Sequence, residues 1–364
     1  MNVESSVKER YSRGAAEREA SLCCPVDYDS GLLAILPDEI VSRDYGCGDP
    51  SRYVQQGDVV LDLGAGGGKI CYMAAQLVGK NGQVIGIDMN DDMLALARKY
   101  RNEMAARLGG DRVRFLKGYI QDLALDLEAI DEYLEQHPVS KQQEYAELKA
   151  WETRQRNERP LIPDASVDLV ISNCVLNLVS DHEKQQLVQE IFRVLKPGGR
   201  IAISDIVSDK TIPAEMKKNA ELWSGCISGA FQEARFLQTF ADNGFHAVCY
   251  DKWESEPWRV IDGIEFRSVT LTAVKDDLPE SGNDTHSVIY RGPFAGVIDD
   301  SGNRYPRGER VPVSMEKYAS LTGTAYMNAF IDPAPKTPET SSSCCPESQH
   351  TVEGLQSGND RGCC

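Results

Sequence analysis

Short apolar runs separated by amphipathic stretches recur through the first 205 residues, and they predict five β-strands. The stretches between them carry apolar residues at helical spacing, as in residues 91–108. Strands that alternate with helices imply a parallel sheet covered on both faces. We therefore expect an α/β fold with a doubly wound, mostly parallel sheet. The predicted strands are Val59–Leu63 and residues 83–87, 113–116, 167–172 and 200–204.

The same pattern divides the chain into five segments. The first should be helices and loops able to fold over a site as a lid, and the second should hold the sheet. A helical insertion rich in Glu, Gln and Lys interrupts the sheet at about 122–157. The third segment should complete the sheet, the fourth should form a small α+β unit, and the composition of the fifth predicts disorder. The segments are residues 1–56, 57–205, 206–279, 280–332 and 333–364.

Composition narrows the possible partners. The chain has 364 residues and a formal net charge of −17. Such an acidic balance disfavours nucleic acid and anionic membrane surfaces, which clustered Lys and Arg would bind. No run approaches the ~18–20 apolar residues of a membrane span, and the polar N-terminus resembles no targeting peptide. We expect a cytoplasmic protein that binds neither nucleic acid nor membranes.

Eleven cysteines are many for a chain in a reducing compartment, where they more often bind metals or catalyse than form structural disulfides. Cys249 lies between Val248 and Tyr250 and is interpreted as a small buried hydrophobe. The adjacent pairs 344–345 and 363–364 could chelate a soft ion, but a flexible tail leaves them unpositioned. We favour the interpretation that these pairs are idle.

A glycine-rich turn follows the first strand in the segment DLGAGGG, residues 62–68. Gly64 permits the tight turn, while Gly66 and Gly68 let a ligand approach bare backbone at a helix start. Asp88 ends the second strand, where an acidic residue suits a ribose diol. The dinucleotide fingerprint would need glycine at position 69, which is lysine. A tight turn without ligand is the alternative.

This segment resembles the first motif of class I S-adenosylmethionine methyltransferases, and LKPGGR at residues 195–200 resembles their later turn. The resemblance implies a Rossmann-like methyltransferase fold with S-adenosylmethionine as cofactor. The cofactor site that it implies consists of Asp62, Gly64, Ala65, Gly66, Gly68, Asp88, Met89, Ile120, Gln121 and Asn173.

Four cysteines fall where a doubly wound sheet places its ligands, beyond the carboxyl ends of the strands. Cys71 begins the helix after the glycine turn, where the helix dipole should favour its thiolate. Cys174 follows the fourth strand, Cys226 follows the fifth, and Cys47 lies in the turn-rich N-terminal segment. Buried hydrophobes or structural zinc are alternatives. Zinc ligands, however, usually come as close pairs, which these four lack.

The segments around these cysteines resemble those of arsenite S-adenosylmethionine methyltransferases. They are DYGCGDP (44–50), LDLGAGGGKICY (61–72), SNCVLNL (172–178), GCISGA (225–230) and HSVIYRGP (286–293). The likeness extends from about residue 40 to about 330. It implies that Cys174 and Cys226 bind arsenic(III), that Cys71 is a third ligand or redox partner, and that Cys47 is its counterpart. The region 206–279 would then be the arsenic-binding region.

The resemblance also implies the reaction. Methyl groups would pass from S-adenosylmethionine to arsenite and methylarsenite, giving mono-, di- and, at the limit, trimethylated arsenicals in arsenic detoxification. A Cys pair, Cys47 with Cys71, would become a disulfide and be reset by an external thiol reductant of glutathione or thioredoxin type. We expect a monomer. The rival functions are methylation of a quinone or phenol, and non-enzymatic sequestration of metalloids by a thiol protein.

Overall fold

A computed structural model describes residues 3–17, 19, 26–43, 45–275, 285–326 and 328–333. Cys23, Cys24 and the two adjacent cysteine pairs of the tail lie outside these residues. The prediction of a disordered tail also falls outside them.

Helices and strands alternate through the first half of the described chain. The helices are α1 (Val3–Ala16), α2 (Ser30–Leu33), α3 (Asp38–Ser42), α4 (Lys69–Leu77), α5 (Asp91–Lys99), α6 (Arg101–Leu108), α7 (Leu127–Gln136), α8 (Gln142–Glu158), α9 (Lys184–Val194), α10 (Ala214–Lys217), α11 (Ala220–Ser224), α12 (Glu233–Ala241) and α13 (Met315–Thr322). The strands are β1 (Val59–Leu63), β2 (Gln83–Asp88), β3 (Val113–Lys117), β4 (Val167–Asn173), β5 (Leu195–Ser208), β6 (Phe231–Gln232), β7 (Phe245–Trp253), β8 (Arg259–Ile261), β9 (Ile264–Lys275), β10 (Thr285–Tyr290), β11 (Gly296–Ile298), β12 (Arg304–Pro306), β13 (Arg310–Ser314) and β14 (Phe330–Ile331).

One sheet organises the molecule, with strand order β3-β2-β1-β4-β5-β9-β7. The strands from β3 to β5 are parallel, whereas β9 runs antiparallel to both β5 and β7. The chain order reverses beside β1 and β4, so a crevice opens beyond their carboxyl ends. The prediction of a doubly wound, mostly parallel sheet of the class I methyltransferase type is confirmed.

The core lies on both faces of this sheet because side chains alternate along each strand. In β1, Leu61 and Leu63 pack into one apolar cluster, while Val60 packs into the other. All three are fully buried, and burial of each such side chain contributes roughly 1.5–3 kcal/mol. The sheet is therefore a rigid platform for the loops at its carboxyl edge.

Two predicted elements differ in detail. The helix predicted over 91–108 is broken at Tyr100, whose ψ of 1° departs from helical geometry and separates α5 from α6. Strand β5 begins at Leu195 and includes the predicted turn at 197–199. Its far end is longer than predicted because Ser208 still pairs with Phe266 of β9. The predicted insertion holds α7 and α8.

A second unit follows residue 285. Strand β10 pairs with β13 and β14, β11 pairs with β12, and α13 packs beside them. Its core is separate from that of the large sheet. This core consists of Val288, Tyr290, Tyr305, Val313, Leu321 and Phe330. None of the helices among the described residues combines the length and apolarity that crossing a bilayer requires.

Candidate functional site

The loop between β1 and α4 exposes backbone at the sheet's carboxyl edge. Gly64, Gly66 and Gly68 have φ values of +71°, +51° and +87°, which favour glycine. A Cβ on Gly66 would have Met93 Sδ as its nearest neighbour, at 4.0 Å. A side chain there would therefore occupy the space in which a ligand could lie against the backbone.

An acidic side chain anchors this loop. The backbone N–H of Gly66 donates to one oxygen of Asp88 at 2.8 Å, and that of Asn90 donates to the other at 2.9 Å. Burial raises the pKa of Asp88 above its ordinary value, while these N–H groups act in the opposite direction. The carboxylate thus joins the ends of β1 and β2 at the mouth of the cavity.

A cavity of about 1050 Å³, its open mouth included, lies over this loop. Of the ten residues predicted to bind the cofactor, Gly68 alone is absent from its wall. Gly68 instead caps α4, and a Cβ there would meet Phe115 at 2.8 Å. The predicted residues that line the cavity are Asp62, Gly64, Ala65, Gly66, Asp88, Met89, Ile120, Gln121 and Asn173.

The N-terminal helix supplies cavity-lining residues that the sequence analysis did not name, although it predicted that this segment could fold over a site. Val7, Lys8 and Tyr11 of α1 line the cavity, as do Arg43 and Tyr45 just before Cys47. Val7, Tyr11 and Ala15 recur every fourth residue, so one apolar stripe could have indicated this face. The stripe is narrow and the rest of the helix is polar with mixed charge. The sequence pattern is therefore only weak evidence for a buried face.

Three of the four predicted cysteines come together beside this cavity. Cys47, Cys174 and Cys226 pack in one buried cluster with Ile206 and Phe266. Cys47 and Cys174 form a disulfide with their Cα atoms 5.9 Å apart. The Cys226 thiol donates to the backbone carbonyl of Cys174 at 3.1 Å. Cys174 also lines the cavity, so the thiol cluster and the cavity share a wall.

Two of these cysteines have unusual backbone geometry. Cys174 and Cys226 have φ values of +60° and +61°, a region that non-glycine residues rarely occupy. A strained backbone of this kind costs of order 1–3 kcal/mol and persists where the surroundings enforce it. At Cys174, the N–H donates to Ser204 O at 2.8 Å. That contact holds the turn at the end of β4.

Cys71 lies elsewhere, which corrects two expectations. It is fully buried in a different apolar cluster from the other three cysteines, and its thiol donates to Asp62 Oδ2 at 3.1 Å. Burial and the adjacent Asp62 carboxylate raise the pKa of this thiol well above its ordinary value, so the helix dipole does not yield the thiolate. The expected pairing of Cys47 with Cys71 is also wrong here, because Cys47 is bonded to Cys174.

Cys249 is exposed rather than buried, which corrects a third expectation. It lies on β7, the last strand in the sheet order, where burial alternates along the strand. Its sulfur is 3.4 Å from Thr272 Oγ1. An edge strand has one face open to solvent, so apolar sequence neighbours did not predict its burial.

Asn173 joins the cysteine turns. Its side-chain oxygen accepts hydrogen bonds from the N–H groups of Cys47 at 2.9 Å and Gly48 at 3.1 Å. Its amide nitrogen donates to Gly48 O at 2.8 Å and to Tyr28 Oη at 3.2 Å. The residue lies in the cavity wall, and these contacts commit its amide to holding the N-terminal segment.

A buried carboxylate completes the cluster. Ligand atoms of Cys47, Cys174 and Asp205 lie within 4.8 Å of one another. Asp205 Oδ1 accepts hydrogen bonds from Asn177 Nδ2 at 2.7 Å and from the Ile206 N–H at 2.8 Å. Burial raises the pKa of Asp205 to about 7, although backbone N–H groups act to lower it.

These features define the class of protein. A parallel sheet with a glycine turn after β1, an acid at the end of β2 and a cavity above both is that of a class I S-adenosylmethionine-dependent methyltransferase. A family profile described as a methyltransferase domain matches residues 55–146 and 140–244. A second profile, described as a domain of unknown function, matches residues 280–357.

Comparison with known proteins indicates which family of methyltransferases the chain resembles. The chain is 29% identical to an arsenite methyltransferase of Aquipseudomonas alcaligenes over 90% of each chain. It is 31% identical to the human arsenite methyltransferase, over 81% of this chain and 72% of the relative. The crystal structure of an arsenic(III) S-adenosylmethionine methyltransferase from Chlamydomonas reinhardtii superposes with a TM-score of 0.55 at 26% identity. That alignment covers 85% of this chain and 96% of the other. The protein belongs to the arsenite methyltransferase family.

Proposed function

We propose that this protein transfers methyl groups from S-adenosylmethionine to arsenic(III) held by Cys47, Cys174 and Cys226. The observation that carries the proposal is the convergence of these three cysteines, from three distant segments, on one buried cluster beside the glycine-loop cavity. Soft thiolates suit a thiophilic centre. The relatives named arsenite methyltransferases support the same substrate.

The ligand set differs from the one that the sequence suggested. Cys174 and Cys226 keep their proposed roles, and Cys47 replaces Cys71 as the third thiol. Cys47 already lies at bonding distance from Cys174, whereas Cys71 donates to Asp62 from another apolar cluster. A buried thiol with a raised pKa is a poor source of thiolate.

The cavity fits the cofactor that the family uses. Gly66 leaves its backbone open to the cavity, and Asp88 presents a carboxylate at the end of β2, where it can accept hydrogen bonds from a ribose. Asp62 is a buried carboxyl group near the end of β1 and can face the charged amino-acid end of the molecule. When bound, S-adenosylmethionine supplies an electrophilic methyl carbon.

The thiolates prepare the nucleophile. Arsenic(III) bound to three sulfurs keeps a lone pair, which forms the new arsenic–carbon bond as the donor's sulfur–carbon bond breaks. No proton leaves the nucleophile, so this step needs no general base. The residues act by orientation, because holding two reactants in near-attack geometry lowers the barrier by itself.

Electron balance gives the disulfide a role. Methyl transfer oxidises arsenic(III) formally to arsenic(V), and two electrons restore it. Two thiolates supply these electrons when their bonds to arsenic break and they join as a disulfide, and Cys47 with Cys174 is such a pair. The methylated arsenic, again trivalent, then stays on Cys226. An external thiol of glutathione or thioredoxin type then reduces the disulfide. Repeated rounds give mono-, di- and trimethylated arsenicals. We extend the proposal to a monomeric protein acting in the cytoplasm in arsenic detoxification.

The proposal is tested with purified protein, arsenite, methyl-labelled cofactor and glutathione. Wild type should release labelled methylarsenicals, while Cys174→Ser and Cys226→Ser should each lose the first transfer. Cys249→Ser, which removes an exposed thiol outside the cluster, is the matched control and should keep full activity. Full activity in either of the first two variants would disprove the ligand assignment. Labelling of a quinone or phenol but not of arsenite would favour the rival methyltransferase.

A further inference from the structure

Helix α1 touches both halves of the proposed site. On one side, Val7, Lys8 and Tyr11 line the cofactor cavity. On the other side, Arg10 Nη1 donates to the carbonyl oxygen of Glu221 at 2.9 Å and to Ser224 Oγ at 3.0 Å. Both acceptors belong to α11, which ends two residues before Cys226. Helix α1 therefore lines the cofactor cavity and also holds α11, the helix that precedes Cys226.

The guanidinium of Arg10 is buried, and its hydrogen bonds fix its orientation. Its side chain is 9% exposed, and a second nitrogen pairs with Glu19 at 2.7 Å. Ser224 is 3% exposed. A guanidinium with several fixed donors loses little freedom for each hydrogen bond that it forms. Because these acceptors lie just ahead of Cys226, displacement of Arg10 would release the turn that presents this thiol.

The cofactor end of α1 is fixed as firmly. Asn90 Nδ2 donates to the carbonyl oxygen of Lys8 at 3.1 Å. The side-chain oxygen of Asn90 caps α5, and its N–H donates to Asp88 at 2.9 Å. A chain of hydrogen bonds thus runs from the proposed ribose acceptor through Asn90 to α1. From α1, the hydrogen bonds of Arg10 extend this chain to Glu221 and Ser224, just before Cys226.

Tyr11 lies where the two sites meet. Its hydroxyl is 4.0 Å from Cys226 Sγ, and its ring packs edge-on to Tyr45, which also lines the cavity. A molecule that packs against Tyr11 in the cavity therefore also contacts the side chain next to the Cys226 thiol.

We propose that α1 couples the two substrates, with Arg10 as the positioning residue that transmits cofactor binding to the arsenic thiols. A molecule in the cavity packs against Val7 and Tyr11 and holds α1 in place. The seated helix fixes Ser224 and thereby Cys226. By linkage, arsenite and the cofactor each raise the protein's affinity for the other by the same factor. This inference rests on the proposed function.

The test measures that factor without turnover. S-adenosylhomocysteine, which has no methyl group to transfer, is titrated calorimetrically into the reduced protein with and without saturating arsenite. In wild type, arsenite should tighten its binding by about fivefold or more, the lower end of usual coupling factors. In Arg10→Met the ratio should fall towards one. Arg13→Met removes the same charge from an exposed position on α1 and should keep the wild-type ratio.

Two further measurements separate coupling from loss of structure. Ser224→Ala removes the receiving hydroxyl with little change of volume and should lower the ratio partly. Arg10→Met should also raise the KM for arsenite more than it lowers kcat, which general unfolding would not produce. A wild-type ratio of one, or an unchanged ratio in both variants, overturns the inference. If wild type binds S-adenosylhomocysteine but no arsenite, the proposed function itself fails.

Discussion

The side-chain oxygen of Asn173 accepts a hydrogen bond from the Cys47 N–H, 2.9 Å away, and so joins the N-terminal segment to the end of β4. The contact places Cys47 beside Cys174, the residue that follows Asn173. A disulfide between segments 127 residues apart forms readily when such contacts hold its two ends together.

Asn173→Ala should therefore weaken the Cys47–Cys174 disulfide. Loss of the four hydrogen bonds made by this amide frees the turn at Cys47. We expect the equilibrium between disulfide and dithiol to shift towards the dithiol by about tenfold, or roughly 30 mV. A redox titration against glutathione measures the shift. Asn157→Ala, at an exposed position of α8, should leave the potential unchanged. An unaltered potential in Asn173→Ala would show that the amide does not hold the pair.

Cys71→Ser should remain close to wild type in arsenite binding and methylation. Serine keeps a donor for the hydrogen bond to Asp62 Oδ2, and the residue does not contribute to the proposed thiol site. Cys71→Ala loses both the donor and the packed sulfur, and it should lower the free energy of unfolding by about 1–2 kcal/mol. Urea unfolding and the labelled-methyl assay measure these effects. Loss of arsenite binding in Cys71→Ser would restore Cys71 to the ligand set.

Gly66→Ala should weaken cofactor binding. The new methyl group points into the cavity, where the nearest atom of the protein is 4.0 Å away. We expect the Kd for S-adenosylhomocysteine to rise about tenfold or more, equivalent to ~1.4 kcal/mol. Gly109→Ala is the matched control, since Gly109 has a φ of +68° and open space around it at the end of α6. Backbone strain in Gly109→Ala should lower the free energy of unfolding by about 1–2 kcal/mol. Its Kd for S-adenosylhomocysteine should stay at the wild-type value. Equal affinities in the two variants would contradict this placement of the cofactor.

Asp205 should make stability fall as pH rises. Its pKa is about 7 in the folded protein and about 3.9 when unfolded, so the folded state binds the proton more tightly. Between about pH 4 and pH 7 the penalty for ionising this carboxyl accumulates, reaching up to about 4 kcal/mol for a shift of this size. Above about pH 8 it is constant, because both states are ionised.

Asp205→Asn should remove this dependence. The difference in unfolding free energy between the variant and wild type should grow from pH 4 to pH 7 in favour of the variant, and then level off. Urea unfolding of the disulfide form measures it, because Cys47 and Cys174 do not titrate there. Asp92→Asn, at an exposed position, serves as the control. A difference that is independent of pH would mean that Asp205 ionises normally.

The parts of the site that the sequence predicted are those built on strands. Residues at the ends of β1 and β2, such as Gly66 and Asp88, lie at a fixed place once the sheet order is known. Their side of the cavity could therefore be predicted from apolar runs and glycines alone. The same holds for Cys174, which directly follows β4.

The pairing of Cys47 depended on contacts that no local pattern encodes. The N-terminal segment crosses the sheet edge where Gly46 and Gly48 allow close approach. A Cβ on Gly46 would lie 2.2 Å from Asn173 Nδ2, and one on Gly48 would lie 2.4 Å from Ser204 Oγ. These close backbone approaches place Cys47 next to Cys174 and not next to Cys71. Similarly, the left-handed backbone at Cys226 follows from tertiary packing and leaves no mark in the sequence.

The disulfide between Cys47 and Cys174 also fastens the N-terminal segment covalently to the sheet. A bond that closes a loop of 127 residues removes conformational freedom from the unfolded chain, on the order of 5 kcal/mol. Reduction of this disulfide would remove the same constraint. In the proposed function, arsenic bound to both Cys47 and Cys174 would restore a covalent link between the two segments. The bound substrate would then stabilise the fold of the protein that methylates it.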